Sequence, residues 1–379
     1  MKILKNITTT TMVMALLLVS SLEARETKKV SNFSGSNFVE SSGTFDGNRI
    51  YADVTNNGLF LDYHISGDSA LEWPKGTGVH SIFQSALWMG ATVNGQIRTI
   101  VGDYTQDMGP GPYGGDPLAA VHRIYKVNKS MLDDPASHDD FQNWPTDWGA
   151  PWVDADGDGV YTPLPAGPDH PEFIGDQVIW FVSNDGDIAY KLNFGTDPMG
   201  VEIQTTMWGY DRIDAIGDML FVKQLVINKG GDDLVDTYMG LWSDPDLGYA
   251  GDDFVGCNVD LGMGYVWNDG ADSQYDNLDI GTPAAGYDFF QGPKVPCDDP
   301  TDTVECPAQG AKMFGTYFPG EKNLKMSSFA FYINGDATYT DPSDETEGYY
   351  YLQGLRKDGS AYPTETVSYT HLRAHETIL

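Results

Sequence analysis

Apolar runs in this chain are short, and Gly, Pro, Asn and Asp interrupt them every few residues. The 379 residues include 43 Gly and 21 Pro, which leaves little room for long helices. No segment sustains a 3.6-residue apolar period. The runs are rich in aromatic and β-branched residues, as strands are. The expected fold is all-β: an antiparallel β-sandwich-like architecture, one large or two packed β domains with long Asp/Gly/Pro-rich loops. Residues 49–65 read as two strands around Asn56-Asn57-Gly58. Residues 81–93 and 96–101 flank Asn94-Gly95, the best hairpin signal. Residues 177–182 read as a buried strand. Residues 201–210, 219–228 and 234–242 read as a three-stranded meander, and 329–333 as another strand. Residues 108–151 are loop-rich, either a linker or a long loop pinned by Trp144, Trp148 and Trp152.

Both ends look unlike the rest. Lys2 and Lys5 precede the apolar run Met12 to Val19, and Ser20 to Ala24 follow, the pattern of a signal peptide cut near Ala24. The run is too short to span a bilayer, which takes about 20 residues. At the other end, Val367 to Leu379 resembles the translation of a sequencing-library adapter, so 367–379 is expected to be a non-native tail. His371, His375 and Glu376 mimic a zinc motif there but are not read as one.

The formal charge is −33, from 22 basic and 55 acidic residues. Such a chain does not bind nucleic acid or an anionic membrane through bulk electrostatics. It attracts divalent cations, although simple solubility would account for the charge equally well. Aromatic residues make up 12% of the chain, with nine Trp, enough to build a core and exclude disorder. Of three cysteines, Cys297 and Cys306 bracket a short loop and are the expected disulfide in an exported protein. Cys257 is then free and buried, although a Cys257 pairing stays open.

The most chemical stretch is Asp154-Ala155-Asp156-Gly157-Asp158-Gly159-Val160. Carboxylates about 6 Å apart repel by about 0.7 kcal/mol per pair even in water, so a cation is the natural counterweight. The spacing matches the first half of an EF-hand-type calcium loop: oxygens at positions 1, 3 and 5, Gly159 at the turn, and the Val160 carbonyl at position 7. Position 12 is Pro165 where a bidentate Glu belongs, and Asp169, Glu172 or Asp176, shortly downstream, could supply the missing ligand. Calcium is the expected cofactor, and a solvated Asp/Gly turn is the alternative. Magnesium suits an irregular cage poorly, and zinc is disfavoured because no Cys or His sits nearby.

Asp244, Asp246, Asp252, Asp253 and Asp260 form a second acidic cluster after a strand ending in Leu241-Trp242. It is either a second calcium site or a set of carboxylates capping local N–H groups. Catalytic signals are weak. His64, His80, His122, His138 and His170 lie in no zinc spacing, and there is no Gly-x-Ser-x-Gly elbow. Trp73, Trp88, Trp144, Trp148, Trp152 and Tyr349-Tyr350-Tyr351 could stack on sugars, but core packing is their commoner use.

Several phrases together resemble a family of large exported bacterial proteins that use type IX secretion. They include Trp73-Pro74-Lys75-Gly76, Ala86-Leu87-Trp88-Met89-Gly90 and Trp148-Gly149-Ala150-Pro151-Trp152. Trp242-Ser243-Asp244-Pro245-Asp246-Leu247-Gly248, Asp252-Asp253-Phe254-Val255-Gly256-Cys257 and Tyr287-Asp288-Phe289-Phe290-Gln291-Gly292-Pro293 extend the likeness. The resemblance implies a β-rich secreted or outer-surface protein whose sorting domain lies beyond the sequence, with no assigned activity. The expected organisation is a leader (1–24), an N-terminal β region (25–150), a calcium-loop β region (151–366) and the tail. Two functions are expected: a surface structural or adhesion module stiffened by calcium, meeting a polysaccharide or surface protein, or a carbohydrate-active or other hydrolytic enzyme. A Trp-lined cleft beside two buried carboxylates of raised pKa would favour the enzyme.

Overall fold

The computed structural model describes residues 41–63, 69–299, 301–302, 306–313, 315–333, 335–363 and 376–378. The leader, His64 and most of the tail lie outside these residues. Among the described residues, the named strands pair antiparallel.

The first sheet joins β1 (Ser42–Phe45), β2 (Tyr51–Thr55), β4 (Leu71–Glu72) and β5 (His80–Ile82). A second is built on β6 (Gln84–Val93), flanked by β3 (Leu59–Leu61), β7 (Gln96–Ile100) and β15 (Val235–Asp244). A third is built on β12 (Gln177–Asn184) and β13 (Val201–Gly209). β14 (Phe221–Asn228) extends it on one side, and β8 (Gly109–Pro110) and β9 (Tyr125–Asn128) both pair with β12 on the other. A ribbon of β10 (Trp152–Val153) and β11 (His170–Pro171) lies between them in sequence. β16 (Asp253–Asn258), β17 (Met263–Asn268) and β18 (Ala285–Asp288) form a small sheet. Two short ribbons follow, of β19 (Lys294–Pro296) with β22 (Glu321–Asn323) and β20 (Ala311–Met313) with β21 (Thr316–Phe318).

Side-chain alternation stacks these sheets into layers. Ile179 and Phe181 of β12 share an apolar cluster with Ala52, Val54 and Leu71 of the first sheet. Met89, Ala91 and Val93 of β6 pack with Val201 and Ile203 of β13. The second and third sheets therefore face one another across a common interior. Their outer faces are covered too. Trp88 and Trp242 stack with centroids 5.7 Å apart, in a cluster with Tyr332 and Tyr351. Val178, Trp180 and Val182 pack with Phe141 and Trp144 of the 108–151 segment. Burial on both faces explains why these strands read as nearly continuous apolar runs.

Three expectations need correcting. The Asn56-Asn57-Gly58 turn does not close a paired hairpin: β2 and β3 belong to different sheets, with one backbone bond, Asp62 N–H to Asp53 O, near their crossing. β15 does not complete a meander with β13 and β14. It crosses to the second sheet, beside β6, carried there by a loop that turns at Gly231 (φ 83°). The helix-free reading missed α2 (Glu345–Leu352), which follows α1 (Asp139–Gln142). The 108–151 segment is a pinned loop rather than a linker, because β9 pairs along β12 and the Trp144 indole N–H donates to Pro151 O at 2.9 Å. Strands from both sides of residue 150 thus share both large sheets. The expected disulfide Cys297–Cys306 is present with Cα atoms 5.7 Å apart, and Cys257 is free but only half-buried. In the tail, β24 (Glu376–Ile378) pairs with β23 (Phe331–Ile333) and touches β15 at Ser243. Pairing of this kind uses backbone groups of an open strand edge and needs no particular sequence.

Candidate metal centre

The ribbon β10–β11 makes the Asp154 loop. Its register sets Trp152 opposite Pro171 and Val153 opposite His170, so the next pair outward is Asp154 and Asp169. Strand pairing thus returns Asp169 to the start of the loop. The base is held by an edge-on contact of Trp152 with Tyr161, by the Tyr161 hydroxyl donating to Phe141 O at 2.7 Å, and by the Gln142 amide donating to Leu164 O.

Within the loop the carboxylates are fixed by backbone donors. Asp154 accepts from Gly157 N–H at 2.7 Å and Gly159 N–H at 2.9 Å. Both glycines have positive φ, 79° and 76°, which lets the chain fold back on Asp154. Asp169 is fully buried and accepts from Ala155 N–H at 3.0 Å and Thr162 N–H at 2.7 Å, clamping the two ends of the loop. Oxygens of Asp154, Asp156 and Asp169 lie within 4.8 Å of one another. Among the described residues, none of the three is in an ion pair. Desolvation and the charges of Asp158, Asp169 and Asp154 raise the Asp156 pKa.

The remaining expected ligands divide. Asp158 stays in the loop but outside this group, with Oδ1 accepting from Val160 N–H at 2.7 Å. Val160 is exposed, at position 7 as its spacing requires. Glu172 points to solvent, while its N–H donates to Pro151 O. Asp176 accepts from Asp211 N–H at 2.9 Å, beside the start of β12. Of the three downstream candidates, the structure brings only Asp169 to the group. His170 does sit beside Asp169, contrary to the expectation of no nearby histidine. It is turned away, with Nδ1 2.8 Å from Pro171 O and its ring stacked on Phe173. The side-chain donors this group offers are all carboxylate oxygens.

The second acidic cluster is more buried. Asp244 and Asp253 are 1% and 3% exposed, and Asp246 is 7% exposed. Asp252 is half-buried and Asp260 is exposed, apart from the others. Asp244 accepts from the Tyr104 hydroxyl at 2.9 Å, and Asp253 Oδ2 accepts from Leu247 N–H at 2.9 Å. Burial, with the Asp246, Asp252 and Asp272 charges, pushes the Asp253 pKa up to about 8. Asp272 belongs to this cluster and was missed by sequence reasoning. It is fully buried and accepts from Tyr249, Gln274 and Tyr275 N–H. Its only local signal is that it precedes a short turn.

A groove of about 560 Å³ opens over the 108–151 segment, lined by Trp144, Trp148, Tyr125, Arg123 and Asn143 among others. The carboxylates of raised pKa, Asp107, Asp156, Asp252 and Asp253, do not line it. Trp88, Trp144, Tyr349 and Tyr351 are buried in the core, as the packing alternative expected, and Trp73, Trp148 and Trp152 are half-buried. Among the described residues, no helix is long and apolar enough to cross a membrane. No family model, curated protein or solved structure matches the chain.

Proposed function

We propose that this chain is an exported β-rich module of the cell surface, structural or adhesive, whose Asp154 loop binds calcium. The observation that carries this reading is the convergence of Asp154, Asp156 and Asp169 in a backbone-clamped loop. Calcium offsets their repulsion and fixes the ribbon against the outer face of the third sheet. The leader-like N-terminus, the Cys297–Cys306 bridge and the resemblance to type IX cargo support an extracellular setting, since disulfides persist in oxidising compartments. Calcium should raise the melting temperature of the purified chain, and Asp156→Ala should reduce that gain. A gain unchanged by Asp156→Ala would refute the loop as the site.

The groove favours a second reading, recognition of an extracellular polysaccharide. An aromatic floor with a few polar groups is how proteins hold sugar rings. Affinity electrophoresis in gels containing polysaccharide should retard the native chain and not Trp148→Ala. Equal migration of the two in every gel would remove this reading.

A further inference from the structure

Which sugars the groove over the 108–151 segment takes follows from the charges on its wall. Arg123, Asp139 and Asp147 are the charged residues that line it. Arg123 is the group that would clamp a carboxylate or sulfate, because its planar fork matches such anions. That fork is already spent. Nη2 donates to Asp139 Oδ2 at 2.7 Å, and Nη1 donates to Asp140 and, at 3.3 Å, to Ile124 O. Asp140 is held in turn by the Lys126 N–H at 2.7 Å. The guanidinium carbon lies 4.1 Å from the centre of the Tyr125 ring, so the cation braces the floor of the groove.

What the wall still offers a ligand accepts hydrogen bonds. Asp147 is exposed. Asn143 is exposed too, and its amide nitrogen donates to Asp139 Oδ1 at 2.8 Å, so the atom it offers is its own Oδ1. Sugar hydroxyls donate to carboxylate and amide oxygens. A carboxylate or sulfate on a sugar can only accept. It would meet the Asp139 and Asp147 charges, and the one cation among the described lining residues is already paired. The aromatic floor has room for one stacked ring. Tyr125 and Trp144 are each 3% exposed, whereas Trp148 is half-buried, in a T-shaped contact with His122 at 5.1 Å.

We propose that the groove selects uncharged polysaccharide. One sugar ring stacks on Trp148, its hydroxyls donate to Asp147 and Asn143, and chains bearing uronate or sulfate groups are turned away. The proposal rests on the groove's being a polysaccharide site. Asp147 is the specificity-determining residue, and Arg123 is a brace rather than an anion clamp. The acidity of the whole chain has the same sign, but it acts over the entire surface, and a change at Asp147 separates the two.

The test is affinity electrophoresis in gels containing soluble starch, glucomannan or galactan, and in gels containing each polymer after oxidation of its primary hydroxyls to carboxylates. Retardation is read against Trp148→Ala, which carries the same charge. The native chain should be retarded by at least one neutral polymer, and oxidation of that polymer should abolish the retardation. Equal retardation by the two forms, lost in Trp148→Ala, would keep the groove as a polysaccharide site and overturn its selectivity. No retardation in any gel would remove the polysaccharide reading and this proposal with it. Asp147→Lys moves the formal charge of −33 by only two units but reverses the sign of the groove. It should restore retardation by the oxidised polymer. If the oxidised polymer still fails to retard Asp147→Lys, the charge of the whole chain excludes it rather than the groove, and the proposal is overturned.

Discussion

Single residues divide between holding the Asp154 loop and loading it. Asp169 clamps two backbone N–H groups, so Asp169→Ala should destabilise the calcium-free chain by about 1–3 kcal/mol by leaving buried donors unpaired. Asp156 is exposed and repelled by its neighbours, so Asp156→Ala should leave calcium-free stability unchanged or slightly higher. Urea melts in chelator distinguish the two, and equal losses would contradict this division. His122 gives a pH signature. It packs beside Gly111 and Gly115 and against the edge of Trp148. Desolvation lowers its pKa, and the Asp116 backbone and charge oppose that only in part. The unfolded chain therefore takes up this proton first. The His122 contribution to stability is present above about pH 6.5, the ordinary histidine value, and is lost as pH falls below it. His122→Gln should flatten that part of the stability profile, and an unchanged slope would contradict the assignment. The 1-3-5 spacing was legible in sequence, and so was Asp169 as one of three candidates. The choice among the three was not, because it rests on the β10–β11 register. Asp272 was illegible for a similar reason: the chain brings it back to Tyr249 from 23 residues away.

Elements were legible where local chemistry alone decides them. The Asn94-Gly95 turn has φ of 51° and 80°, as a tight hairpin requires, and joins β6 to β7 in register. The strand expected at residues 177–182 is β12, buried along its whole length. β15 was misplaced because alternation marks a strand without naming its partner. α2 was missed because eight residues are too few to show a period, yet its capping box was present. Asp344 accepts from Glu347 N–H, and Glu347 accepts from Ser343 N–H. The helix lies so close to β6 that a Cβ on Gly90 would fall 2.7 Å from the Tyr349 ring. Nearby, the buried Lys191 ammonium meets Asp107 at 2.9 Å, tying the turn after β12 to the segment after β7. Lys191→Met should cost about 3–5 kcal/mol by leaving a buried carboxylate uncompensated. Lys191→Met with Asp107→Leu should recover much of that loss. A small effect of the single change in urea unfolding would contradict the pair's role.

At the scale of the whole molecule, two facing sheets are each covered on the outside. The Asp154 loop lies beyond one sheet, and the acidic link between β15 and β16 lies beyond the other. A chain ending at Thr366 should melt as the full chain does, because the tail contributes only three paired residues to β23 and one to β15. A loss of several degrees would make the tail part of the fold. A structural module should turn over no polysaccharide or peptide, and turnover abolished by one carboxylate change in a folded chain would reverse that reading. The most direct measurement is calorimetric melting of the native chain and Asp156→Ala, each in chelator and in excess calcium. Ligand at about 100 times its dissociation constant stabilises a one-site protein by about 2.7 kcal/mol. The native chain should gain at least that stabilisation and Asp156→Ala measurably less. Equal gains, or no gain in either, would contradict calcium binding by the Asp154 loop.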